Sequence, residues 1–132
     1  MDTLSIVCYR AVMPDRPAPE SLPPLARDAV FVLLALASQP LHGYGIIRDI
    51  EARSAGETVL QTGALYRTLR RLLRDALIEE CDPPADDSGD ERRRYYRLTR
   101  RGRLALDAEI ARMARLVRAA RLTQAGKTPR LI

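Results

Sequence analysis

The chain has 132 residues, of which 46% are apolar and 30% charged; this is room for one compact domain with extensions, not two domains, and not the composition of a disordered chain. A total of 22 Lys and Arg against 17 Asp and Glu leaves a net charge of +5, which favours nucleic acid or an acidic membrane surface as partner without choosing between them. The longest uninterrupted apolar run, Ala29 to Ala37, is about half of the roughly 20 residues needed to cross a bilayer, so no membrane span is expected.

The first dozen residues carry Asp2 and only a short apolar patch from Leu4 to Cys8, unlike a secretion signal, which points to a cytoplasmic protein. Five prolines then fall between Pro14 and Pro24, a density that resists helix and sheet. Residues 1–24 therefore read as an extended tail, with Met13 as a natural alternative start. Cys8, Cys81 and the single histidine, His42, form no CxxC pair and no zinc framework, so neither a structural disulfide nor a metal or other cofactor is expected.

The domain is expected to begin near Leu25. Leu25 to Ser38 is apolar on nearly all sides after Asp28 and is stopped by Pro40, the pattern of a buried helix. After the turn Gln39 to Gly43, Tyr44, Ile46, Ile47 and Ile50 recur at helical spacing up to Arg53, with Ser54, Ala55 and Gly56 ending that helix. Thr62 offers an N-cap oxygen for a third helix running to about Asp75 or Ala76.

That third helix separates its faces sharply. At 100° per residue Arg70, Arg71 and Arg74 fall within about 60° of Arg67, while Leu65, Leu69, Leu72, Leu73 and Ala76 gather at the opposite pole. Gly63 and Ala64 lie on the arginine side in the first turn, so no bulky group holds the helix start away from a surface it approaches. A charge run is commonly just a solvated face, yet like charges at i, i+4 repel by a few tenths of a kcal/mol, a repulsion that a nearby polyanion removes.

Leu77 to Cys81 and Arg92 to Leu98 read as two short strands. The loop between them, Asp82 to Glu91, holds five acids and no base, whereas Arg92 to Arg103 holds seven arginines and no acid. Thr99 opens a long helix in which Leu106, Ile110, Met113, Val117 and Ala120 recur at heptad-like spacing with Leu116 beside them, an apolar stripe that needs a partner.

The expected fold is thus mainly α with a small β-hairpin (α+β). Three helices followed by a hairpin is the order of a winged helix-turn-helix, and the most basic helix stands where a recognition helix belongs. The divisions are 1–24 tail, 25–100 winged helix-turn-helix, 101–125 C-terminal dimerisation helix and 126–132 tail. Nothing in the chain supports an enzyme: there is no G-x-S-x-G, no Gly-rich phosphate loop and no metal cluster. A rival reading is a winged-helix module whose basic face meets an acidic protein. Attachment to a membrane surface is disfavoured, because the face opposite the arginines belongs to the core.

PLHGYGIIRDIEARS (Pro40 to Ser54), TGALYRTLRRLLRDALIE (Thr62 to Glu79) and RRRYYRLTRRGRLAL (Arg92 to Leu106) together resemble the PadR family of bacterial transcriptional regulators. Arg67 departs from the proline common after LY in that family, so no base preference carries over, and the wing tip is unusually acidic. The resemblance implies a homodimeric repressor of double-stranded DNA, of the short class with one helix after the wing. It leaves room for a small-molecule effector at the dimer interface or between the last helix and the core. The DNA-contacting set expected is Gly63, Ala64, Tyr66, Arg67, Arg70, Arg71 and Arg74, with Arg92, Arg93 and Arg94 on flanking phosphates or the minor groove. Leu106, Ile110, Met113, Leu116, Val117 and Ala120 are expected to make the dimer contact. Tyr66 either faces the groove or packs on the first helix; Tyr44, Tyr95 and Tyr96 are expected in the core or wing packing, and His42 at a helix start.

Overall fold

The computed structural model describes Leu22 and residues 24–84 and 93–126. Its elements are α1 (Arg27–Leu36), β1 (Leu41–His42), α2 (Gly43–Arg53), α3 (Thr62–Arg74), β2 (Ile78–Cys81), β3 (Tyr95–Leu98) and α4 (Arg100–Gly126). The three strands form one antiparallel sheet in the order β1-β3-β2. This is the expected α+β winged helix-turn-helix.

Helix α1 is the central element because its sequence is apolar all round: Val32 and Leu33 are completely buried, and it packs on α2, α3, α4 and β3. Ile46 and Ile50 of α2, Leu65, Leu69 and Leu72 of α3, Ile78 of β2 and Leu106 of α4 close the same core. Each such side chain contributes about 1.5–3 kcal/mol by leaving water.

Helices α2 and α3 end alike. The N–H of Gly56 bonds Glu51 O and that of Ala55 bonds Ala52 O; the N–H of Leu77 bonds Leu72 O and that of Ala76 bonds Leu73 O. Each is a Schellman arrangement, and each puts an alanine in the left-handed region, Ala55 at φ 54° and Ala76 at φ 62°.

The structure corrects several boundaries. β1 pairs Leu41 with Tyr96 and His42 with Tyr95, where a plain turn was expected; two residues are too few to show an alternating pattern. α3 is capped by Gln61 without a side-chain bond, so Thr62 is its first helical residue and not its cap. β3 starts at Tyr95, and Arg92 lies outside the described residues. The core also reaches back to Leu22, which is buried, and the Leu25 N–H donates to Glu109 Oε1 at 3.1 Å, tying the lead-in segment to α4.

Thr99 does open the last helix: its Oγ1 accepts from the Gly102 N–H at 3.0 Å and donates to Ala76 O at 2.7 Å. The first turns of α4 belong to the core through Ala105, Leu106 and Ala108, and beyond Ile110 its apolar side chains are exposed. Among the described residues no helix is long and apolar enough to cross a membrane.

Candidate nucleic-acid interface

Helix α3 is pinned by one face and displays the other. Leu65, Leu69 and Leu72 are at most 1% exposed, whereas Arg67, Arg70, Arg71 and Arg74 are all exposed. No ion pair among the described residues engages any of these four guanidinium groups, in contrast to Arg53 with Asp49, Arg94 with Glu80, Arg97 with Glu79 and Arg112 with Glu109. A groove of about 490 Å³ runs between this face and the start of α1, floored by Ala64 and Thr68, with Asp28 its only acidic lining residue. At the amino end of α3, a Cβ on Gly63 would meet nothing within 4 Å but the Arg67 guanidinium, 3.6 Å away. The first N–H groups there carry no side-chain cap. An open helix start of this kind, with its favourable dipole, suits a phosphate.

Tyr66 packs in neither of the expected ways. Its hydroxyl lies 2.9 Å from where a Cβ on Gly43 would stand, so it rests on the amino end of α2, and it stays 42% exposed. Gly43 is needed there because the helices approach too closely for a larger residue.

The amino end of α2 extends the same side of the molecule. His42 caps α2, its Nδ1 accepting the Gly45 N–H at 3.1 Å, as expected for a residue at a helix start. Its ring lies edge-on to Tyr95 at 5.1 Å and parallel to Tyr44 at 6.5 Å. Tyr44 corrects the expectation of a packed tyrosine: it is 62% exposed, with the Arg48 guanidinium 5.6 Å from its ring centroid. Tyr44 and Arg48 are thus interface candidates that sequence reasoning missed. Their i, i+4 spacing was visible, but the direction of the pair depends on how α2 docks.

The wing is less positive than its arginines suggest. Arg93 and Arg94 are exposed, but Arg94 Nη1 reaches Glu80 Oε2 at 3.1 Å and Arg97 Nε reaches Glu79 Oε2 at 2.7 Å. The Glu79 carboxylate, through that hydrogen bond and its charge, raises the pKa of Arg97 further. Exposed pairs of this kind contribute about 0–1 kcal/mol, so a phosphate competes for them readily. Tyr95 and Tyr96 are buried, as expected; burial first, then Glu80 and Tyr66, pushes the Tyr96 hydroxyl pKa up. Burial likewise raises the Cys81 thiol. Among the described residues no group of His, Cys, Asp and Glu side chains could hold a metal ion.

On α4 the expected dimer stripe splits. Leu106, 1% exposed, belongs to the chain's own core and is not available to a partner. Ile110, Met113, Leu116 and Val117 are 39–70% exposed, and Ala120 is exposed beside them.

A family model described as the transcriptional regulator PadR-like family matches residues 32–108. A 37.1 kDa protein in transposon TN4556 of Streptomyces fradiae is 41% identical over 85 residues, 64% of this chain. The chain spans only 22% of that relative's length. Among solved structures, a PadR family transcription regulator from Clostridium difficile superposes with a TM-score of 0.60 at 25% identity, over 76% of this chain and 100% of that one. A transcriptional regulator from Clostridium thermocellum shares the fold with a TM-score of 0.60 at 20% identity, over 73% of this chain and 91% of that one.

Proposed function

The chain belongs to the PadR-like family of transcriptional regulators, and from that premise we propose that it is a homodimeric, sequence-specific binder of double-stranded DNA that represses its target genes and is released by a small-molecule effector. The observation that carries this reading is the exposed face of Arg67, Arg70, Arg71 and Arg74, four like charges with no acid paired to them, on a helix held rigidly by Leu65, Leu69 and Leu72. Inserted in the major groove, these guanidinium groups fork to guanine O6 and N7 or bind phosphates. Gly63 and Ala64 let the helix start approach closely. Arg93 and Arg94 serve the flanking backbone, with Arg92 beyond the described residues, and Tyr66 lines the edge of the contact. A second copy covers Ile110, Met113, Leu116, Val117 and Ala120, placing two recognition helices on half-sites about one helical turn, or a multiple of it, apart.

The test is fluorescence anisotropy with the duplex upstream of the chain's own gene against a scrambled duplex, across a salt series. Preference for the cognate duplex by roughly a thousandfold, with a steep negative salt slope, is the expected result. Weak and equal binding to both would shift the basic face to an acidic protein partner.

A further inference from the structure

A cavity of about 460 Å³ opens between the segment leading into α1, the carboxyl end of α3 and the first turns of α4. Its walls are apolar, formed by Leu22, Leu25, Leu72, Leu77 and two small residues, Ala29 and Ala105. Its volume lies in the ordinary range of small-molecule sites, roughly 300–1,000 Å³. The polar lining consists of three side chains, Arg71, Asp75 and Arg101. Arg101 is held in place by its Nε, which donates to the Asp75 backbone oxygen at 3.1 Å. Neither guanidinium is taken up by an ion pair with a described carboxylate.

Two guanidinium groups against one carboxylate leave this site with a single net positive charge above an apolar floor. That charge is neutralised by one negative charge and overshot by two, and Asp75 repels the second. The size, the wall chemistry and the charge together select a compact apolar molecule bearing one acid group.

Arg71 also lines the groove along the basic face of α3, so one side chain serves two sites. We propose that this cavity is a binding site for a compact apolar monoanion, whose acid group engages Arg71 and Arg101 and so withdraws Arg71 from DNA. The regulatory half of this inference rests on α3 being the DNA-contacting helix; the binding half does not. Because one guanidinium cannot serve both partners fully, ligand and DNA weaken each other by the same factor.

The full chain is titrated with 1-anilinonaphthalene-8-sulfonate, an apolar monoanion whose fluorescence reports burial, and with its uncharged parent N-phenyl-1-naphthylamine. Three chains are compared: the wild type, Arg101→Gln and Asp75→Asn. One sulfonate probe per chain is expected, bound about tenfold more weakly by Arg101→Gln, the equivalent of one charge-assisted hydrogen bond. Tighter binding is expected in Asp75→Asn, an opposite shift that misfolding does not produce, while the uncharged parent binds all three chains alike. Equal sulfonate binding by wild type and Arg101→Gln overturns the site, since the exposed stripe of α4 would then be the place of binding.

In the second arm the sulfonate lowers the affinity of the wild type for its duplex but not that of Arg101→Gln, whose duplex affinity without probe matches the wild type. Probe binding at the cavity with duplex affinity unchanged overturns the competition for Arg71. Absence of duplex binding in every chain, probe or not, overturns the DNA reading instead, and the direct titration still judges the cavity.

Discussion

Gly102 and Leu77 meet backbone to backbone: a Cβ on residue 102 would stand 2.0 Å from the Leu77 carbonyl oxygen and 2.9 Å from its carbonyl carbon. The same oxygen accepts the Thr99 N–H at 3.1 Å, so the start of α4 is seated directly on the end of the α3–β2 connection. A rotamer change relieves no part of such a clash, because both partners are main chain. Gly102→Ala must lift α4 off the sheet, at a cost of about 3 kcal/mol or more. The thermal midpoint, followed by circular dichroism, should fall by more than ~10 °C; a midpoint within a degree or two of wild type would sink this account of the contact.

Ala76 is a second place where the backbone asks for glycine. Its φ of 62° is the left-handed conformation, which costs a residue with a Cβ about 1–2 kcal/mol. The two bonds that close this helix end are made by the N–H groups of Ala76 and Leu77 and survive the change. Ala76→Gly should therefore stabilise the fold by about 0.5–1 kcal/mol, the relief of strain exceeding the added freedom of the unfolded chain. Ala55→Gly at the end of α2 should do the same. Urea titration checks both, and a lowered midpoint in either would contradict the argument.

Glu109 joins α4 to the segment before α1, accepting from the Leu25 N–H at 3.1 Å and from Arg112 Nη2 at 2.8 Å. Burial pushes its carboxyl pKa up, but the two hydrogen bonds and the Arg112 charge outweigh burial and leave it below the ordinary 4.5. A depressed carboxyl stabilises the fold above its unfolded pKa, and that contribution disappears as pH falls through the folded value. Glu109→Gln should cost about 1–2 kcal/mol at neutral pH. The gap between the two chains should hold from pH 7 down to about 4.5 and narrow below it. A gap independent of pH would mean that the carboxylate charge plays no part.

Much of this architecture is legible in the sequence because it is periodic. α1 is apolar all round, α3 sorts arginine from leucine, and Pro40 and Gly56 mark where helices stop. What escapes a sequence reading depends on neighbours distant in the chain. β1 exists only because Leu41 and His42 meet Tyr96 and Tyr95. Arg94 meets Glu80 only once the strand register is known. Tyr95 and Tyr96 are buried and Tyr44 is not, although all three are tyrosines beside apolar residues. The heptad-like spacing of α4 runs unbroken from Leu106 into Ile110, so nothing in the period shows that the core ends between them.

Arg70 and Arg71 project from α3 into solvent, so removing them leaves no cavity and no orphaned partner. Arg70→Ala with Arg71→Ala should abolish specific duplex binding while shifting stability by no more than about 0.5 kcal/mol, as is usual for exposed sites. Where residual non-specific binding can be measured, its salt slope should become shallower by about 0.9 for each phosphate that is no longer neutralised. Operator binding retained at wild-type affinity would remove α3 from the interface.

The stripe on α4 separates folding from assembly. Leu116 is 70% exposed and Val117 48% exposed in the isolated chain, so a carboxylate at either position is solvated there and leaves the domain folded. Facing a second copy, Leu116→Glu with Val117→Glu would bury four carboxylates near one axis, and desolvation with like-charge repulsion costs several kcal/mol. Sedimentation should show the wild type at twice the chain mass and the double variant at the chain mass, with unchanged circular dichroism. Duplex affinity should fall with it, because a single domain reads one half-site and forfeits the gain of two tethered contacts. A wild type that sediments as a monomer at micromolar concentration would remove the dimer from the proposal, whereas a double variant that stays dimeric would place the interface elsewhere on the chain.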